Sequence, residues 1–415
     1  MAYIANDNKS NNFWILIVFM INPFLSLILS VKNYFSDYSK NIVWLFCGFY
    51  GFTFYPAKAS MDSFRHREDF LSWYMKNDLS LNEFFDKLYG NSRLLDVFLP
   101  LLKYGISRFT DNANVFYGIL GLLFGYFFSR NIWFLLNYAK RKLNKYEILS
   151  ICIFAVTIAP WEINSFRFWM GAHVFVYYIT KVLLLKKNKY IIGMATAPFI
   201  HFGLFVALLF YFVYRIAGNR LRIYVYMLFV SIFFNAISAS QVQALIPKTS
   251  ITQLDKKSDS YTSDEYIEGR ESTATNLNWY VTLKSKPLYF ITIFIILFLY
   301  HKKRKELLKS PYLSYLCFTI FFMAVSYMLM NAVPTFYRYF RMTLLMFYGF
   351  LFLFFLSENS KWYKNIYKFH LIAALFFSII EIRIWFDSAT VDTLVSNPVV
   401  SMLYQTYQPV INVIK

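Results

Sequence analysis

Apolar residues come in long blocks along this chain, at about 12–31, 112–137, 146–162, 164–185, 221–246, 311–331, 342–357 and 365–386, with shorter blocks at 41–55 and 287–300. A helix that crosses a bilayer needs roughly 20 apolar residues, so the blocks predict an all-α polytopic membrane protein with about 10–12 transmembrane helices. The first block has no basic leader and no small-residue cleavage site before or after it, which predicts a retained helix.

Two further pieces break this rhythm. Residues 93–108, RLLDVFLPLLKYGISR, are too short for a crossing and carry Pro100 and Lys103. Ahead of them Leu81, Phe84, Phe85, Leu88 and Tyr89 recur at helical spacing, so the region predicts helices lying in the membrane interface. Residues 190–214 are long enough for one tilted span, yet KKNK precedes them and Arg215, Arg220 and Arg222 follow. If both ends lie on one side, the segment is a re-entrant pair that bends near APFIH (197–201), where Pro198 removes a helix hydrogen bond.

Charge orients the blocks. Lys32 and Lys40, KRKLNK (140–145), KKNK (186–189), residues 215–222, HKKRK (301–305) and Lys361, Lys364 and Lys368 all fall on one side, which the positive-inside rule makes cytoplasmic. The outer side then receives 56–111, the turn at 160–167, the loop 247–286, the turn at 331–341 and a C-terminal tail, 388–415. Residues 1–387 form a single integral membrane domain, and the polar segment 248–286 reads as an external loop over the outer face.

Composition agrees. With 58% hydrophobic and 16% charged residues and a mean hydropathy of +0.42, a soluble 415-residue fold is excluded. The net charge of +19 sits in short clusters after apolar blocks, so it signals cytoplasmic loops and not a nucleic-acid groove. Cys47, Cys152 and Cys317 lie in apolar blocks without CxxC or Cys/His spacing, and no metal site is indicated.

The outer side also collects ionisable groups. Arg167, in TIAPWEINSFRFWMGAH, falls at or just inside the outer boundary, where a charged side chain is a functional candidate. Its ordinary explanations are snorkelling to lipid phosphate or a pair with Glu162. In MDSFRHREDF (61–70), Asp62 and His66, and Arg65 and Asp69, stand at i, i+4 spacing, as local ion pairs of a charged loop also would. Arg338 and Arg341 follow Pro334 at the start of a helix and share a face, among tyrosines that would equally make an aromatic belt. His201 stands in an apolar context that fits a buried structural histidine.

Several arginines on one cavity call for an anionic ligand, because the guanidinium fork pairs bidentately with phosphate and keeps its charge at low dielectric. The residues alone therefore indicate a transporter or transferase acting on a lipid phosphate at the outer face.

The order D-S-F-R-H after the second helix, F-R-F-W-M-G-A-H at a helix start, P-F-I-H-F-G-L-F between two half-helices and Y-R-Y-F-R-M near the last hairpin resembles the EpsG/Wzy-type polysaccharide polymerases, over roughly residues 40 to 385. In place of that family's usual glutamine after the arginine stands Phe168, and Phe202-Gly203 replaces a polar-small step after the histidine, so no role for a glutamine amide carries over. The resemblance implies an enzyme of the bacterial cytoplasmic (inner) membrane that polymerises undecaprenyl-pyrophosphate-linked oligosaccharide units into O antigen, capsule or exopolysaccharide. Donor and acceptor are both lipid-linked, and a chain-length regulator and flippase of the same pathway are the expected partners besides membrane lipids. No cofactor, nucleotide sugar or metal is implied. Arg167 with Arg338 or Arg341 would hold pyrophosphate, Arg65 and His66 would assist, and His201 or Asp62 would contact the acceptor hydroxyl. Two other readings remain: a metal-dependent polyprenyl-phosphate-sugar transferase, with Asp62 as ligand, and a lipid-linked oligosaccharide flippase, against which stands the lack of an internal repeat.

Overall fold

The computed structural model describes residues 9–56, 61–75, 80–86, 96–233, 278–283, 286–330, 333–357 and 363–414; among these no strand occurs, and one isolated bridge joins Thr390 to Pro409. The helices begin with α1 (Lys9–Ile21), α2 (Pro23–Lys32) and α3 (Asp37–Thr53), continue through the short α4 (Asp62–Tyr74), α5 (Leu81–Asp86) and α6 (Phe98–Ser107), and then lengthen in α7 (Ala113–Leu136), α8 (Lys145–Thr157) and α9 (Phe166–Leu185). Then come α10 (Tyr190–Met194), α11 (Ala197–Ile200), α12 (Leu204–Ala217), α13 (Leu221–Phe233), α14 (Trp279–Leu283), α15 (Lys286–Lys309), α16 (Leu313–Met330), α17 (Tyr337–Ser357) and α18 (Tyr363–Trp385), and the chain closes with α19 (Val391–Val395), α20 (Pro398–Leu403) and α21 (Ile411–Ile414).

Five helical stretches among the described residues are long and apolar enough to cross a membrane. With no water in the hydrocarbon, helices that satisfy their own backbone are what an apolar chain of this kind can form. The protein is an all-α polytopic membrane protein.

Between membrane helices the driving force is close packing, which small residues permit. Helices α3 and α7 meet along such a seam: a Cβ at Gly51 would lie 2.2 Å from the carbonyl oxygen of Tyr117, and one at Gly121 the same distance from that of Cys47. Helix α17 runs through the centre, its residues from Tyr339 to Phe355 buried on every side. Its first two turns therefore deliver Arg338, Tyr339 and Arg341 to one end of the bundle's interior.

Block 12–31 is not one helix. The chain breaks at Asn22, whose backbone is extended and whose side chain caps α2 ahead of Pro23. Ser26 Oγ then donates to Ile15 O at 3.0 Å, whereas eleven helical residues would separate these positions by about 16 Å, so α1 and α2 fold back on each other. The stripe at 81–89 forms the short helix α5 over Leu81–Asp86. Leu81 and Phe85 are exposed and only Phe84 is buried, wedged between Trp73 and Tyr104; Leu88 and Tyr89 lie outside the described residues, as does most of 247–286.

Segment 190–214 breaks at 201–203. Gly193 packs on the Tyr178 ring near the C-terminal end of α9, Ala197 and Ile200 reach Gly171 near its start, and Tyr214 OH then donates to Ser314 O at 2.9 Å. Residues 388–394 are held against α2 and α3 and do not hang free: Thr53 and Thr393 hydroxyls meet at 2.7 Å, Tyr50 and Ser388 at 3.0 Å, and Asn22 Nδ2 donates to Leu394 O at 3.1 Å.

Candidate functional site

The short helices α4 and α6 cover the end of the bundle at which α9 begins. Ser63 donates through both its amide and its hydroxyl to Asn164 Oδ1, at 3.2 and 2.7 Å, and Tyr117 OH donates to Ser63 O at 2.5 Å. Phe70 stacks on Phe116 at 4.8 Å. These contacts pin the start of α4 to the Pro160–Ser165 turn, directly before Arg167.

Arg167 is 34% exposed and donates from Nη1 to Asp96 Oδ2 at 2.9 Å. Asp96 is buried, and its other oxygen accepts the Phe202 backbone N–H at 2.6 Å. One carboxylate therefore ties the start of α9 to the break in segment 190–214. Of the five N–H groups of a guanidinium, Arg167 gives one to Asp96. It also sits in the first turn of a 20-residue helix, where the helix dipole is positive. The two effects together favour an anion at this position.

Beside it, Lys103 Nζ donates to Asp69 Oδ2 at 2.5 Å and to His66 Nδ1 at 3.3 Å. An ammonium only donates, so His66 is neutral with its proton on Nε2. Burial, then Lys103, Arg167 and Arg65, push its pKa down to about 2. Burial also lowers Lys103, against the pull of Asp69. Asp62 pairs with Arg65 and accepts Ser165 Oγ at 3.4 Å. The partners are thus Asp62 with Arg65 and Asp69 with Lys103, not the i, i+4 pairs that spacing suggested.

A second group gathers round Phe168. Its ring lies 5.2 Å from His201, 5.4 Å from Tyr339 and 5.4 Å from the Arg338 guanidinium. His201 Nδ1 accepts the Gly203 N–H at 3.1 Å, and Tyr339 OH donates to Gly203 O at 2.5 Å. Like His66, His201 therefore carries its proton on Nε2 when neutral. Through Asp96 and Phe168 the structure brings Arg65, His66, Arg167, His201 and Arg338 into one neighbourhood, with Asp62 at its edge.

Arg341 stands apart from it. Its Nη1 meets Glu162 Oε1 at 2.6 Å, Nη2 approaches Glu381 Oε2 at 3.3 Å and Nε donates to Thr157 O at 2.6 Å. The guanidinium lies over the Trp169 ring at 5.1 Å, and Trp161 Nε1 donates to Glu381 at 3.2 Å. Glu162 is thus the partner of Arg341 and not of Arg167.

Asp96, Lys103 and Glu381 were missed as site residues, though each is a charge interrupting an apolar block, which is signal enough to flag it. Among the described residues no group of three or more His, Cys, Asp or Glu is placed to hold a metal ion. An apolar cavity of about 700 Å³ lies between α2, α3, α7, α8 and α18, lined by Phe46, Tyr50, Phe128, Trp133, Trp161 and Trp385 among others; it meets the Arg341 group at Trp161, and none of Arg65, His66, Arg167, His201 or Arg338 lines it. In comparisons with known proteins, no family model, no curated protein and no solved structure matches the chain.

Proposed function

We propose that this protein joins lipid-linked oligosaccharide repeat units at the membrane face where Arg167 lies, acting as a polysaccharide polymerase. The observation that carries the reading is the Arg167–Asp96–Phe202 bridge: a guanidinium held in place by a buried carboxylate, with most of its donors uncommitted among the described residues, beside His66 and His201. Held donors aimed at a diphosphate stabilise it best as it leaves, when its charge grows.

In this reading Arg167, Arg65 and the Nε2–H of His66 hold the donor diphosphate, and Arg338 is the third arginine. Arg341 is not, because it is 8% exposed and its charge is already matched by the carboxylates of Glu162 and Glu381. The bond from the sugar anomeric carbon to the diphosphate oxygen breaks, the electron pair leaves with the lipid diphosphate, and the acceptor hydroxyl oxygen bonds to that carbon. The Nδ1 of His201 accepts an amide of its own loop, so this histidine orients the acceptor as a donor. The hydroxyl proton goes to the carboxylate of Asp62.

The test is complementation of a polymerase-deficient host of the matching serotype, reading the polysaccharide ladder at equal protein abundance. Wild type is expected to restore the ladder, and Arg167→Lys to leave single repeat units on the lipid core. A wild-type protein that restores nothing there but rescues a flippase-deficient host would replace this reading with transport.

A further inference from the structure

At the opposite end of the bundle, next to KRKLNK and KKNK, two cations stand partly exposed on the outside of apolar helices. Arg130 lies six residues before the end of α7 and Lys181 four before the end of α9, roughly 9 and 6 Å in from the helix ends. Both are partly exposed, and Tyr126, one turn from Arg130 on the same face of α7, is exposed.

Aromatic faces hold both side chains. The Arg130 guanidinium lies 4.4 Å from the Tyr126 ring centre and 4.9 Å from that of Trp44, and donates to Asn41 Oδ1 and Ser129 Oγ, each at 2.9 Å. Lys181 Nζ donates to Tyr177 OH at 2.5 Å and lies 3.9 Å from that ring's centre and 5.2 Å from that of Tyr190. Among the described residues no carboxylate lies within ion-pair distance of either, unlike Arg141, Arg167 and Arg341, which all have one. A charge inside the membrane boundary needs a counter-charge. Here the neighbouring solvent that can supply one is lipid.

We propose that Arg130 and Lys181, framed by Trp44, Tyr126 and Tyr177, bind the phosphate headgroup of an anionic phospholipid in the leaflet beside the basic loops. The aromatic rings sit at headgroup depth and fix the two cations, and the phosphate completes their coordination. The site does not depend on the polymerase reading.

The test uses the full-length protein in detergent with an equimolar mixture of phosphatidylglycerol and phosphatidylcholine of the same acyl chains, counted by native mass spectrometry. Near an anionic surface each basic residue contributes about five-fold in affinity, so wild type should retain phosphatidylglycerol on the order of 25-fold better. Arg130→Gln/Lys181→Gln should bring the ratio close to one. Lys140→Gln/Lys142→Gln, which removes equal charge from the exposed loop, should leave it unchanged, and Arg130→Lys/Lys181→Arg should keep it. If the double glutamine variant does not fold, the wild-type preference should still fall as salt is raised. Equal retention of both lipids by wild type would overturn the proposal. So would loop and site variants that lose the preference alike, or a preference abolished when inorganic phosphate is added to the mixture at the concentration of the lipid.

Discussion

Arg167 and Arg341 look alike in the sequence, each an arginine near the start of a helix after a proline-marked turn, and they end in opposite situations. Arg341 is 8% exposed and surrounded by two carboxylates, a carbonyl and an indole face. Arg167 is 34% exposed and has one carboxylate, which is itself anchored to a backbone amide. The first arrangement consumes a guanidinium, while the second aims one. Depth in the membrane marks both as important; the number of partners separates a cation that holds helices together from one that waits for a ligand.

The sharpest break of this contrast is Arg341→Met. It leaves Glu162 and Glu381 facing each other without a cation, which costs about 3–5 kcal/mol in a buried site. Thermal unfolding in detergent and membrane abundance should both collapse, and adding Glu162→Gln and Glu381→Gln should recover a large part. A variant that folds normally would put Arg341 back among the ligand-binding candidates.

Next comes Arg167→Lys, which keeps a charge for Asp96 but removes the fork. Unfolding should move by less than about 1 kcal/mol, whereas polymerisation should fall by about 100-fold or more, the scale on which a preorganised donor acts. Asp96→Asn should sit between the two. An amide oxygen can still accept the Phe202 N–H, but it no longer fixes the guanidinium, so activity should drop about ten-fold with a stability loss near 1 kcal/mol. Equal activity losses for Arg167→Lys and Arg341→Met at equal abundance would erase the contrast.

The smallest effect is in pH. His66 titrates near 6.5 when unfolded and near 2 when folded. The unfolded chain therefore binds the extra proton between those values, and stability falls as pH is lowered through that window. With solvent screening, the loss from pH 7 to 5 should be about 1 kcal/mol. In His66→Asn it should vanish, as read by unfolding temperature at the two pH values.

Helix positions were legible in the sequence because they follow the apolar blocks, and α7, α8, α9 and α16 to α18 begin and end within a few residues of them. Block 12–31 was not, since its break depends on one asparagine capping at Pro23 within otherwise continuous hydrophobicity. The arginines stood out as charges out of place. Their partners did not: Asp96 lies 71 positions from Arg167, and Glu381 reaches Arg341 from another helix. Pairing of that range is set by how helices pack, and local spacing had suggested Glu162 for Arg167 simply because it was near in the chain. The same limit hid the partners of Lys103, Asp69 and His66, which follow from α6 lying against α4.

The most direct measurement is the affinity of the purified protein for undecaprenyl diphosphate against undecaprenol, for wild type, Arg167→Lys and Arg341→Lys, with unfolding recorded on the same samples. Wild type should prefer the diphosphate, and Arg167→Lys should lose at least about ten-fold of that preference with unfolding unchanged. Arg341→Lys should lose stability first and keep the preference in whatever fraction stays folded. A preference untouched by Arg167→Lys, in protein as stable as wild type, would contradict the assignment of Arg167 to an anionic ligand.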